Sequence, residues 1–384
     1  MSSLEHFAPI KIGIVGAGTA ARQMHLPLIA QRPDLFTITA IADISAASLS
    51  KVASRWGFQD SQLFTSVESM LESPDKPDAI LVLNSGSHLN SVIAGLAAGC
   101  SVLCEKPLAY SLDEVGQIRQ ALARSSGRLM VGYMKTHDLV VLRAKELIET
   151  LALTAIDVEV LHPSEQRQLL TGELGAVIPT SAPSPSTPTS LAPPLRTTHI
   201  TALGSQENPF ASLYSDILMG SIIHEFSVLR ELGSPIASVD YVLWDHDHQT
   251  NTSVIIVGKS ATGHPITIRW YYVEELPEYR ETIQWIGTKG EVRIEFPTPY
   301  SLYSPTKLTT TLASESATIK TQFTSPKDAF EIELEDFAAI VRDQRIIPKN
   351  GCDQAEADVI LAQKIIREMS QGEGVPLAGE LKID

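Results

Sequence analysis

Short apolar runs and amphipathic stretches alternate along the first third of the chain. Ile10–Val15, Thr37–Ala42, Ala79–Leu83, Ser101–Cys104 and Leu129–Gly132 are brief, mostly apolar runs of the kind that form strands buried on both faces. Between them the period changes to that of a helix. Thr19–Ala30 reads as the first, with Pro27 expected to kink or shorten it. Ala46–Trp56 carries Leu49, Val52, Ala53 and Trp56 on one face. Val67–Leu71, Leu89–Ala98 and Leu112–Ala123 follow, the last opened by Ser111 with Asp113 and Glu114 in its first turn. Strand and helix in strict alternation imply parallel strands joined by right-handed crossovers, a doubly wound sheet.

Past Tyr133 the pattern changes. Leu139–Thr150 is an amphipathic helix. Ala155–Leu161, Ile236–Trp244, Thr252–Gly258, Pro265–Tyr272, Glu281–Gly287 and Glu291–Phe296 then alternate as strands, with Lys289–Gly290 as the turn between the last two. No helical pattern separates the later strands, so they predict a large, mostly antiparallel sheet. Ala329–Arg342 and Asp353–Ser370 read as closing helices. The expected fold class is an α/β Rossmann domain over residues 1–135 and an α+β domain over 136–384. The 176–200 stretch interrupts the second. It holds Pro179, Pro183, Pro185, Pro188, Pro193 and Pro194 among many Ser and Thr, and predicts a surface loop or a lid.

Charge narrows the partners. A net charge of −15 and a pI of about 5.1 repel nucleic-acid phosphates and anionic lipid. The expected partner is a small molecule. Three cysteines, Cys100, Cys104 and Cys352, do not make a disulfide framework, and no His or Cys cluster has zinc spacing. The first ten residues lack an apolar run, and no segment is apolar for long enough to span a bilayer. A cytoplasmic protein is the expectation.

Two motifs carry chemistry. Gly16-Ala17-Gly18-Thr19-Ala20-Ala21 follows the first strand and opens a helix, in the pattern Gly-x-Gly-x-x-Ala. Gly16 permits a tight turn, Gly18 lets a pyrophosphate approach the backbone, and Ala21 allows close packing of helix on strand. The helix N-terminus, with Thr19 and Ala20, would hold the phosphates. Asp43 ends the second strand, 27 residues after Gly16, and could accept from an adenosine ribose. A carboxylate there favours NAD over NADP. The second motif is Glu105-Lys106-Pro107, at the C-terminal end of an apolar strand, where open parallel sheets bind their ligands. A lysine at that edge needs water or a partner.

With Val131-Gly132-Tyr133-Met134-Lys135, these motifs resemble the Gfo/Idh/MocA family, that of glucose–fructose oxidoreductase and inositol 2-dehydrogenase. The likeness is strong over about residues 10–150, weaker over 205–300, and visible again around Phe330–Ile366. It implies NAD or NADP as cofactor and a homodimer or homotetramer formed through the C-terminal sheet. It also implies roles. Lys106 would lie beside the nicotinamide and the reacting carbon–oxygen bond. Glu105 and Pro107 would flank the cofactor, and Asn84, Ser87 and His88 would contact the nicotinamide ribose. Tyr133, Lys135 and His137 would line the substrate pocket.

The same resemblance places His224, in Ser221–Arg230, as the group that exchanges a proton with a substrate hydroxyl. The chain departs from the family's sugar dehydrogenases one helical turn earlier. They carry an aspartate where this chain has Gly220, and Asp216 lies two turns before His224. The expected activity is hydride transfer between a nicotinamide and a sugar, cyclitol or related hydroxy or keto compound. One alternative is an enzyme without net redox that cleaves glycosides, eliminates or epimerises. Another is a nucleotide-binding sensor with a degenerate site.

Overall fold

The alternation over the first third folds as one six-stranded sheet. The computed structural model describes residues 7–164, 200–205, 207–246, 251–299 and 301–382. The strands are β1 (Ile10–Val15), β2 (Phe36–Ala42), β3 (Leu63–Phe64), β4 (Ala79–Val82), β5 (Ser101–Glu105) and β6 (Leu129–Gly132). Their order is β3-β2-β1-β4-β5-β6, and every pairing is parallel. The chain reverses direction across the sheet between β1 and β4, the crevice where doubly wound folds bind ligands. Ile12, Ile14, Ile80, Leu81, Val102 and Val131 are buried, as strands covered on both faces require.

The first helix forms with an irregularity. Ala21–His25 is wound as a π-turn, in which the Leu26 amide reaches five residues back to the Ala21 carbonyl. An α-helical stretch, α1 (Leu26–Ala30), follows. Pro27 sits in its first turn, where its missing N–H and its ring are tolerated. The irregular turn thus stands just before the proline expected to kink or shorten this helix. The next helices are α2 (Ala46–Trp56), α3 (Val67–Leu71), α4 (Leu89–Ala97) and α5 (Leu112–Ala123). Ser45 caps α2 by accepting from the Ser48 amide, and Ser111 caps α5 by accepting from the Glu114 amide.

The chain divides into two compact units. The first runs to Gly132 and takes up Phe330–Glu356; the second holds Tyr133–Ala329 and Ala357–Asp384. The closing segment was expected in the second domain. Within the first unit it is tied down by polar bonds that no local pattern announces. Arg128 donates to the Gln344 and Ile346 carbonyls at 2.6 and 2.8 Å. The Asn350 carbonyl accepts from the Val131 amide, and Arg119 pairs with Asp353 and Glu356.

The second unit is built on an eight-stranded sheet. Its strands are β7 (Leu153–His162), β8 (Ile236–His246), β9 (Asn251–Ser260), β10 (Pro265–Val273), β11 (Arg280–Gly287), β12 (Gly290–Phe296), β13 (Lys307–Ala313) and β14 (Thr318–Thr324). The order is β14-β13-β12-β11-β7-β10-β9-β8, antiparallel except between β7 and β10. Ile156, Val158 and Val160 of β7 face the core, and the residues between them do not. Helix α6 (Leu139–Ile148) is capped by Asp138, which accepts from the Val140 amide at 2.7 Å. A second π-wound segment, Leu213–Ile222, runs into α7 (Ile223–Glu231). The closing helices are α8 (Ala329–Arg342) and α9 (Cys352–Glu373). The proline-rich 176–200 segment lies, but for Ile200, outside the described residues.

Candidate functional site

The C-terminal ends of β1, β4 and β5 stand side by side in the first unit. Gly16, just past β1, has φ +96°, which L side chains rarely adopt. A Cβ there would meet the Asn84 backbone nitrogen at 2.6 Å. The turn therefore closes tightly on the end of β4. Gly18 is the opposite case: it is exposed, and the space its Cβ would fill is open to 4 Å. Ala21 is fully buried. A turn closed on one side and open on the other is a cradle for a phosphate chain. Asn84 lines it, and its buried Oδ1 has no hydrogen-bond partner among the described residues. These features fit the NAD(P) pyrophosphate and its ribose.

Asp43 ties the glycine turn to β2. Its Oδ2 accepts from the Ala17 amide and its Oδ1 from the Ser45 amide, both at 2.7 Å. Each carboxylate oxygen keeps a lone pair for a further donor. Ser87 is more committed: it donates to Glu114 at 2.9 Å and accepts from the Leu89 amide. His88 sits at the start of α4, and its side chain is buried. Its ring nitrogens lie 2.7 Å from the Pro107 carbonyl and 2.6 Å from the Asn84 carbonyl, so it braces the β5 edge against the β4 edge.

Glu105 and Lys106 end β5, and the Lys106–Pro107 bond is cis. Glu105 accepts from the Lys106 amide at 3.2 Å and pairs with His25 Nε2 at 3.0 Å. Burial would raise the Glu105 carboxyl. The His25 hydrogen bond and the nearby Lys106 charge outweigh it and hold the group below the usual carboxylate range. Glu105 is therefore ionised and accepts, and His25 donates. The sequence reading missed His25, although its place in the helix after the glycine turn puts it under the β5 edge.

In the second unit His224 opens α7, half-buried, and Ser221 just before it accepts from Trp270 Nε1 at 2.9 Å. Asp216 is exposed and accepts from Ser215 Oγ at 2.6 Å. The residues expected to line a substrate pocket are built into this unit's core. The Tyr133 hydroxyl donates to Asp358, and Arg230 pairs with Asp358 and stacks 5.5 Å from the Tyr133 ring. Lys135 donates to both Glu281 oxygens at 2.5 Å and lies 4.6 Å over the Phe296 ring. His137 is 2% exposed. Tyr133, Lys135 and His137 are buried, with Tyr133 bonded to Asp358 of α9 and Lys135 to Glu281 of the sheet.

Glu225, beside His224, completes the Lys135 cluster at 3.6 Å. Burial, reinforced by the Glu281 charge, pushes Glu225 well above the carboxylate range against the pull of Lys135. Glu281 goes the other way: Lys135 and hydrogen bonds from Glu225, Lys135 and Tyr279 overcome its burial. Tyr279 donates to Glu281 at 2.6 Å. The cluster is one ammonium, one carboxylate and one neutral acid. Among the described residues there is no group of His, Cys, Asp or Glu arranged to hold a metal, and no helix long and apolar enough to cross a membrane.

Known proteins match this arrangement. Inositol 2-dehydrogenase of Agrobacterium fabrum is 32% identical over 166 residues, 42% of this chain and 48% of that protein. The chain thus spans about half the length of the curated relative at this level of identity. Inositol 2-dehydrogenase of Pseudomonas savastanoi pv. phaseolicola is 23% identical over 97% of this chain and 98% of its own. The fold is shared with aldose–aldose oxidoreductase from Caulobacter crescentus, solved with glycerol. That structure has a TM-score of 0.67 at 17% identity and covers 95% of this chain and 98% of its own. Residues 10–133 match the model described as "Oxidoreductase family, NAD-binding Rossmann fold". Residues 10–133 thus match the NAD-binding Rossmann fold of the Gfo/Idh/MocA oxidoreductases.

Proposed function

We propose that the chain is an NAD(P)-dependent dehydrogenase or reductase acting on a CH–OH group of a sugar, cyclitol or related polyol. One observation carries this reading: the open Gly18 cradle follows β1 and the Glu105–Lys106 edge ends β5, the two strands that flank β4 in one parallel sheet. Gly16, Gly18, Thr19, Ala20 and Ala21 would hold the pyrophosphate. The Asp43 carboxylate would accept from the adenosine ribose and disfavour a 2′-phosphate, so NAD is the preferred cofactor. The bound nicotinamide supplies a hydride acceptor or donor. Lys106 is the ammonium that donates to the substrate oxygen, and His224 is the base or acid that exchanges its proton. The inositol dehydrogenases among the relatives support a cyclitol as the first substrate to try.

Fluorescence titration with NADH and NADPH tests the reading. NADH should bind more tightly; absence of binding by either rejects it. Gly220 favours a second reading, because no carboxylate stands one turn before His224. Turnover of a glycoside with no net NADH would establish it. We also assign a second copy of the chain to the open face of the eight-stranded sheet, where Tyr241, Leu243 and Ile286 are exposed. Sedimentation as a monomer would remove that assignment.

A further inference from the structure

The first unit contains polar groups that the proposed reaction does not use. Glu333, on α8, is fully buried, and neither carboxyl oxygen has a hydrogen-bond partner among the described residues. His25 is equally buried. Its Nε2 serves Glu105, while its Nδ1 has no hydrogen-bond partner among the described residues. Phe330 packs edge-on against the His25 ring, with centroids 5.4 Å apart. Glu333 lies three residues further along the same helix, hence on the same face. The Glu105 charge reaches Glu333. With burial first and Asp336 as the other contributor, it pushes Glu333 well above the carboxylate range. Glu333 is therefore a neutral acid, with an O–H to give. His25, donating through Nε2, has a lone pair on Nδ1 to receive it. Orphan polar atoms so buried are costly, and pairing them removes the cost of both. Lys106 and His88 are the other charged or titratable groups bearing on Glu105.

We propose that Glu333 and His25 form a buried positioning pair behind the Glu105–Lys106 edge. The Glu333 O–H reaches His25 Nδ1 through one bridging water. This fixes the imidazole in the tautomer whose Nε2–H holds Glu105, and Glu105 in turn accepts from the Lys106 amide. A carboxyl, an imidazole and a carboxylate thus stand in series behind the residue that polarises the substrate. An orienting partner on the far nitrogen of a working histidine commonly sets its ring and tautomer. The inference rests on the Glu105–Lys106 edge being the reactive one, but its first test does not need turnover.

The experiment is 15N NMR of histidine-labelled full-length protein, with the His25 signal assigned by His25→Gln. Wild type should show a protonated Nε2 and a hydrogen-bonded, unprotonated Nδ1. Glu333→Gln, whose amide can still donate, should keep that signature. Glu333→Leu should shift Nδ1 to its unbonded position while leaving NADH affinity unchanged. Its kcat/KM should fall about tenfold, the low end for losing an orienting partner, and Glu333→Gln should restore most of it. An identical His25 signal in wild type and Glu333→Leu overturns the pairing. So does an unchanged kcat/KM. A wild type that binds no NADH overturns the functional reading instead, and the NMR comparison still decides the pair.

Discussion

Two buried ionic groups, one in each unit, show what separates a structural cluster from a poised one. Around Lys135 every charge is answered. The ammonium meets Glu281, Glu281 also accepts from Tyr279, and Glu225 stays neutral. One oxygen of that cluster, Glu225 Oε2, has no hydrogen-bond partner among the described residues; around Glu105 four such atoms remain over, His25 Nδ1, both Glu333 oxygens and Asn84 Oδ1. The first arrangement binds elements of one unit together. The second stands at the carboxyl edge of a parallel sheet, where spare donors and acceptors are what a ligand would use.

Removing half of the Lys135–Glu281 pair should have the largest effect. Glu281→Leu leaves the buried ammonium only Glu225, 3.6 Å away, and should cost up to about 3–5 kcal/mol of unfolding free energy in a urea melt. The double variant Lys135→Met with Glu281→Leu should recover most of it, because an apolar pair of similar volume is tolerated. Failure of the double to recover would mean that the pair itself supplies the stability. Gly16→Val attacks the other region. Its Cβ would collide with the Asn84 backbone in a conformation that valine resists. NADH affinity should fall about 100-fold, roughly 2.8 kcal/mol, while the second unit's melting is unchanged.

The two regions also differ in pH response. Glu225 is raised above its ordinary value of 4.5. Above that pH the unfolded chain ionises the group and the folded one does not, so its contribution to stability falls as pH rises. Glu105 is lowered from 4.5; its contribution is present above that value and is lost as pH falls toward its folded value. Glu225→Gln should therefore gain stability relative to wild type between pH 5 and 8, read from paired denaturation curves. A relative loss over that range would show Glu225 ionised in the folded state.

How much of this was legible follows from where the partners sit. Periodicity locates strands and helices within a residue or two over Ile10–Gly132, because burial on both faces leaves an unbroken apolar run. It misses β3, only two residues long, and β13 and β14, whose Thr- and Lys-rich sequences scarcely alternate; β14 is exposed along its length. The glycine turn and Glu105–Lys106 are local motifs and could be read directly. His25 could not, since its meaning depends on Glu105, eighty residues on. The partners of Tyr133 and Lys135, Asp358 and Glu281, are remote in sequence for the same reason.

The smallest expected effect uses a pair of the same chemistry at the surface. Arg269 donates to Asp157 at 2.7 Å across β10 and β7, on the sheet face that also carries Tyr241 and Leu243. Both side chains are about one-third exposed, at 34% and 37%. Water screens such a pair and side-chain entropy opposes it, so Arg269→Ala should cost no more than about 1 kcal/mol, and less in high salt. The Lys135–Glu281 pair is similar in charge and distance, yet breaking it should cost several times as much. The difference is solvent. If Arg269→Ala instead cost as much as Glu281→Leu and the loss depended on protein concentration, the face would be covered in solution. A second copy of the chain would then be holding Arg269 as dry as Lys135.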